Sequence, residues 1–104
     1  MIYKEVSMEV TEVKVFPVNE DILRAYVTIT LDHCFVIRDL KIIKRGTGYF
    51  VSMPSKKRND GTYKDIAHPI NSETRKMLEE KVIAEYEKLL LQLETGELLY
   101  TPPT

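Results

Sequence analysis

The chain has 104 residues, 43% of them hydrophobic and 30% charged, with four glycines and one cysteine. That composition suits one domain with a core of its own, and it excludes a wholly disordered chain, a fibrous repeat and a secreted scaffold stapled by disulfides. Fifteen basic residues against sixteen acidic ones leave a net charge of −1, so no overall field draws the chain to nucleic acid or to a membrane surface. The stretch from Met1 to Glu5 has no basic region followed by an apolar run, and the apolar runs elsewhere are far short of a membrane span. The expectation is a cytoplasmic protein that makes no membrane contact.

The first half reads as strands. Val6, Met8 and Val10 alternate with Ser7, Glu9 and Thr11, after which Val13 and Val15 continue on the opposite parity. A period of two that slips by one residue predicts a β-bulge near Thr11 and Glu12. Residues 17–21 carry Pro17, Asn19 and Asp21 and form a turn. Leu23, Ala25, Val27, Ile29 and Leu31 then alternate with Arg24, Tyr26, Thr28 and Thr30, the pattern of a strand buried on one face. Asp32 and His33 break it. From Cys34 to Ile43 apolar residues fall on both faces, with Cys34, Val36, Leu40 and Ile42 on one and Phe35, Ile37 and Ile43 on the other. Such a strand belongs in the middle of a sheet or under a second layer. Gly46-Thr47-Gly48 predicts a hairpin turn, and Tyr49 to Met53 a fourth strand that Pro54 ends. Residues 54–64 are polar and read as a loop turning at Asn59-Asp60-Gly61, with a brief extended piece at Ile66-Ala67.

The remainder reads as a helix. Asn71 or Ser72 supplies the cap and Glu73 an acid in the first turn, where the helix dipole favours it. Leu78, Val82, Tyr86, Leu89 and Leu93 recur at helical spacing, widened by Ile83 and Leu90, while Glu79, Glu80, Lys81, Glu85, Glu87 and Lys88 take the other face. Gly96 is a stop signal, and Pro102-Pro103 makes residues 95–104 a flexible tail. Strands followed by a helix predict an α+β fold: a twisted antiparallel sheet of four to five strands and a long C-terminal amphipathic helix, in two layers and one domain. The open edges and uncovered second face of such a sheet predict a homodimer joined through sheet edges.

The charge is segregated. Residues 41–64 hold Lys41, Lys44, Arg45, Lys56, Lys57, Arg58 and Lys64 against the single acid Asp60, a net +6. Residues on either side are net acidic. Lysines and arginines on one loop release counterions from each phosphate they neutralise, and Tyr49, Phe50 and Tyr63 lie close enough in sequence to stack on bases. The competing reading is a basic loop that is merely solvated.

Little else in the chain carries chemistry. Asp32-His33-Cys34 with His68 offers the residue types of a nucleophile and base, or of a zinc site, but no CxxC or HxxxH spacing accompanies them. Cys34 opens an apolar strand, where cysteine behaves as a small buried hydrophobe. Gly46-Thr47-Gly48 is too short for a phosphate loop and no helix follows it. The chain therefore reads as a non-enzyme without metal or cofactor. His68-Pro69 holds the backbone extended as a stiff lead-in to the helix cap.

Phe50-Val51-Ser52-Met53-Pro54-Ser55-Lys56-Lys57-Arg58, then Asp60-Gly61, then Asp65-Ile66-Ala67-His68-Pro69-Ile70-Asn71-Ser72 with Thr74-Arg75 resembles the signature of the SpoVG family, the stage V sporulation protein G or septation-regulator proteins of bacteria. Ile29-Thr30-Leu31-Asp32, His33, Phe35-Val36 and Asp39 are similar to an earlier block of that family, and Met8-Glu9-Val10-Thr11 to its start, which makes residues 1–7 an N-terminal extension. The resemblance runs from Met8 to about Tyr86. It implies a small dimeric regulator linked to septation, sporulation or gene regulation that binds DNA, and in some cases RNA, site-selectively. Carried over by position, it implies nucleic-acid contacts at Lys56, Arg58 and Arg75. Lys57, Lys64 and Lys76 are basic neighbours of those positions in this chain. The alternative is a protein-interaction module that acts on division or regulatory partners and never touches nucleic acid.

Overall fold

The computed structural model describes residues 8–95. Four antiparallel strands, β1 (Val10–Pro17), β2 (Leu23–Leu31), β3 (Phe35–Arg45) and β4 (Gly48–Ser52), lie side by side in chain order. A separate two-stranded ribbon follows, β5 (Ser55–Lys57) with β6 (Tyr63–Asp65), and then one helix, α1 (Ser72–Thr95). The α+β class, the antiparallel sheet and the C-terminal helix are those the residue pattern predicts. The extension at residues 1–7, and the tail with Gly96, Pro102 and Pro103, lie outside the described residues.

Three bulges set which side chains reach the core. The register of β1 on β2 shifts between Val10 and Glu12, so Thr11 is the extra residue, at the predicted slip. Its hydroxyl donates to the Thr30 carbonyl at 3.2 Å and accepts from the His33 amide at 2.9 Å. The Asp32 carboxylate accepts from the Glu9 amide at 3.0 Å, so the β2–β3 turn is laced to the start of β1. Asp32 and His33 both have positive φ, 49° and 57°, and the Cys34 amide closes the turn on the Leu31 carbonyl. This is the primed geometry that matches strand twist.

The second bulge corrects the expected faces of β3. Val27 pairs with Leu40 but Ile29 with Ile37, so Arg38 and Asp39 together face one residue of β2, and Asp39 takes φ 66°. The parity of β3 changes there. Ile37 joins Leu40 and Ile42 against the core, whereas Val36 opposite Thr30 faces outward, 51% exposed. Cys34 lies in the turn and is exposed rather than opening the strand as a buried hydrophobe. The third bulge falls on β2 at Arg24. Its guanidinium lies 3.4 Å from the Tyr86 hydroxyl, to which Nε donates, and also donates to the Glu20 carbonyl at 2.7 Å.

α1 covers one face of the sheet, packing on β1 and β4. Leu78, Val82 and Tyr86 are buried against Ala25, Val27, Ile29, Leu40, Ile42 and Val51, and Leu90 packs at the margin. Tyr49 meets Tyr86 edge to face, with ring centroids 5.1 Å apart at 85°. Asn71 is the cap: its side-chain oxygen accepts from the Thr74 amide at 2.7 Å. Lys81 Nζ donates to the Val10 carbonyl at 3.0 Å, which fastens the middle of the helix to the edge strand.

Leu40 is wholly buried. Leu40→Ala is expected to cost about 2–5 kcal/mol through the smaller transfer energy and a residual cavity. Asn71→Ala, which removes one capping bond, is expected to cost about 1 kcal/mol. Urea titrations of the two variants, with unchanged slopes, check both values.

Candidate nucleic-acid interface

The residues between β4 and α1 divide into those that face the core and those that face solvent. Met53 and Pro54 are buried directly after β4, and the Pro54 carbonyl accepts from the Ile66 amide at 2.7 Å. That bond closes the base of a ribbon in which Ser55 pairs with Asp65, Lys56 with Lys64, and Lys57 with Tyr63. All six residues are exposed. The segment expected to be an irregular polar loop is thus a β-hairpin, and the extended piece is Tyr63–Asp65 rather than Ile66-Ala67. Hydropathy is silent here because each strand is only three residues long and nothing apolar marks an inner face.

The tip of the ribbon is well bonded. The Gly61 amide donates to the Arg58 carbonyl at 3.0 Å, and the Arg58 amide to the Thr62 carbonyl at 2.6 Å. The Asp60 carboxylate accepts from both the amide and the hydroxyl of Thr62, at 2.9 and 2.6 Å. These bonds hold its pKa below the ordinary carboxylate range, the hydroxyl contributing most. Gly61 has φ 91° with open space where a Cβ would stand, so backbone conformation alone calls for glycine there.

Lys56, Lys57, Arg58 and Lys64 surround one cleft of about 420 Å³, together with Asn59, Asp65 and Ile66. Among the described residues no carboxylate pairs with any of these four cations; the two ion pairs are Lys14–Glu12 and Arg75–Glu79. Lys56 and Lys64 stand directly opposite each other across the ribbon, an arrangement that disfavours the ribbon unless an anion is near. Arg75 and Lys76 are elsewhere. They line a shallow groove along α1 with Glu79, Glu80 and Glu87, and Arg75 is held 3.4 Å from Glu79. The other basic residues of the +6 segment are spread along β3, Lys41 and Arg45 on one face and Lys44 on the other. Lys41 pairs with Ser52 beside the ribbon, whereas Arg45 pairs with Gly48 at the far end and stacks over Phe50 at 4.6 Å.

The rest of the motif shapes the chain. Ala67 and Pro69 are half-buried beside an apolar cavity of about 150 Å³ lined also by Ile29, Leu31, Leu40 and Leu78. Ile66, His68 and Ile70 alternate outward. His33, Cys34 and His68 are exposed, and no cluster of three metal-ligating side chains occurs among the described residues.

The architecture is that of a small sheet-and-helix domain presenting a basic ribbon. The chain belongs to the SpoVG family, whose model matches residues 8–88. A relative from Myxococcus xanthus (strain DK1622) is 61% identical over 95 residues, covering 91% of this chain and 96% of its own length. One from Bdellovibrio bacteriovorus is 63% identical over 92 residues, covering 88% of this chain and 83% of its own, and one from Caldicellulosiruptor bescii is 48% identical over 84 residues, covering 80% and 96%. All three carry a provisional name as septation proteins, not as enzymes.

The lowered pKa of Asp60 gives a pH dependence with a definite sign. A carboxylate whose folded pKa is depressed stabilises the fold above its unfolded pKa, and that stabilisation disappears as pH falls through the folded value. The tip of the ribbon is therefore expected to stay closed at neutral pH and to open in acid, below the ordinary carboxylate range. The amide shift of Thr62, followed by NMR during acid titration, should report a midpoint lower than that of an aspartate in an unstructured peptide.

Proposed function

We propose that this chain is a cytoplasmic nucleic-acid-binding regulator of the SpoVG family, acting in septation, sporulation or gene regulation as a homodimer. The observation that carries the reading is the ribbon: four cations without carboxylate partners among the described residues surround one cleft on an element anchored in the core. Lys56, Lys57, Arg58 and Lys64 make the principal contacts. Arg75 and Lys76 contribute less, because Arg75 is shared with Glu79 and both line a groove with three glutamates. Among the described residues no helix is long and apolar enough to cross a membrane. Self-association is supported by the edges that β1 and β4 leave open and by the sheet face opposite α1. That face bears the cross-strand pair Phe16 and Tyr26, 41% and 38% exposed, beside Ile43 and Phe50. The same face supports the second reading, a protein-interaction module that leaves nucleic acid alone.

Replacing Lys56, Lys57 and Arg58 together by alanine is expected to weaken binding to nucleic acid roughly a hundredfold near 0.1 M salt. It should also flatten the dependence of log affinity on log salt by about 0.9 for each phosphate that is no longer neutralised. Gel-shift titrations at two salt concentrations measure both. Unchanged affinity, together with partner capture that survives nuclease, would favour the interaction module. Sedimentation at micromolar concentration should give twice the mass of one chain; a clean monomer would remove the dimer.

A further inference from the structure

Resting on the nucleic-acid reading above, we infer that the β5–β6 ribbon enters the major groove of duplex DNA tip first, with Arg58 and Asn59 reading base edges and Lys56, Lys57 and Lys64 gripping the flanking phosphates. The major groove of B-DNA, about 12 Å wide and 8.5 Å deep, admits a two-stranded β-ribbon. Paired strands lie about 4.8 Å apart, and three residues at about 3.4 Å each, plus a tip, project about as far as the groove is deep. Solvent surrounds this ribbon on both faces, as insertion requires.

The chemistry is graded along the ribbon. Its stems hold lysines, which meet phosphates as point charges. Its tip holds an arginine and an asparagine, the side chains that pair bidentately with guanine and adenine in the major groove. Neither the Arg58 guanidinium nor the Asn59 carboxamide has a hydrogen-bond partner among the described residues, although the backbone around them is bonded by Gly61 and Thr62. A fixed tip with free polar ends is pre-organised for recognition. A single strand is the poorer fit: the ribbon offers one aromatic platform, Tyr63, 69% exposed, where a stacking surface for successive bases needs several.

The test uses the full chain and three probes: a plain duplex, the same duplex with every cytosine replaced by glucosylated hydroxymethylcytosine, which fills the major groove and leaves backbone and minor groove unchanged, and one of its single strands. The plain duplex is expected to bind at least about tenfold more tightly than either of the others. Asp60→Ala is expected to weaken duplex binding several-fold even though it makes the net charge more positive, because it frees Thr62 and loosens the tip. Asn59→Ala should relax the preference at one base position in selection from randomised duplexes. Equal binding of plain and glucosylated duplex, or tighter binding of the single strand, would overturn insertion and leave the nucleic-acid reading standing. Tighter binding by Asp60→Ala would overturn the role of a fixed tip, and an unchanged preference in Asn59→Ala would overturn base reading there. Binding to none of the three probes would overturn both readings.

Discussion

One helix can bury only one face of a four-stranded sheet, and much of this molecule follows from that limit. Leu78, Val82 and Tyr86 close over Val27, Ile29, Leu40 and Ile42, so every apolar position with the right parity is drawn to that side. The opposite face must then be tolerable to water. Thr28, Thr30, Lys14 and Lys41 make it so in part, while Phe16, Tyr26, Ile43 and Phe50 leave it only half polar. The same limit explains the ribbon. After β4 the inner face is already filled by Met53, Pro54, Ala67 and Pro69, and the chain between them has no core left to enter. It projects as a hairpin whose stability rests on backbone pairing, the Pro54–Ile66 bond and the Asp60–Thr62 clasp.

The motif that marks the family therefore has two kinds of residue in it. Pro54, Ala67, Pro69 and Asn71 fix the path of the chain from sheet to helix, through burial in three cases and a helix cap in the fourth. Lys56, Lys57, Arg58 and Lys64 contribute nothing of that kind. They are solvated, Lys56 faces Lys64 across the ribbon, and none of the four is ion-paired with a carboxylate among the described residues. On the proposed reading these residues, which weaken their own element without helping the fold, serve a ligand.

How legible each element is in the sequence depends on how far a buried face constrains it. β2 is legible from Ala25 to Leu31, where strict alternation leaves no second register, but not at its start, where the bulge at Arg24 sets Leu23 opposite Ile43 and turns Arg24 to Tyr86, against the faces the alternation predicts. The bulge at Thr11 shows as a slip of parity. The same signal is present in β3, where Ile37 and Leu40 both point inward across Arg38-Asp39, but continuous apolar residues on each side mask it. The positive φ at Asp39 that makes the bulge has no signature beyond the tolerance of aspartate for that region. The ribbon is the least legible, since both its faces are wet and hydropathy carries no period there. The cations themselves are evident from charge alone. Only three-dimensional placement separates Lys56, Lys57, Arg58 and Lys64 from Arg75 and Lys76.

That separation bears on the proposed reading, in which a chain of net charge −1 meets a polyanion. A uniform mixture of the same charges would present no attractive surface, and at physiological salt only charges within about 8 Å act together. Here four cations are gathered on a projecting ribbon, while α1 carries Glu79, Glu80, Glu85 and Glu87. On the proposed reading, a phosphate backbone is attracted by the ribbon and repelled by the acidic stretch of the helix. Segregation of this kind orients an encounter without raising net charge. On the same reading the acidic helix face would belong to the recognition geometry: it disfavours any pose in which α1 lies in a groove, and leaves the ribbon as the element that could.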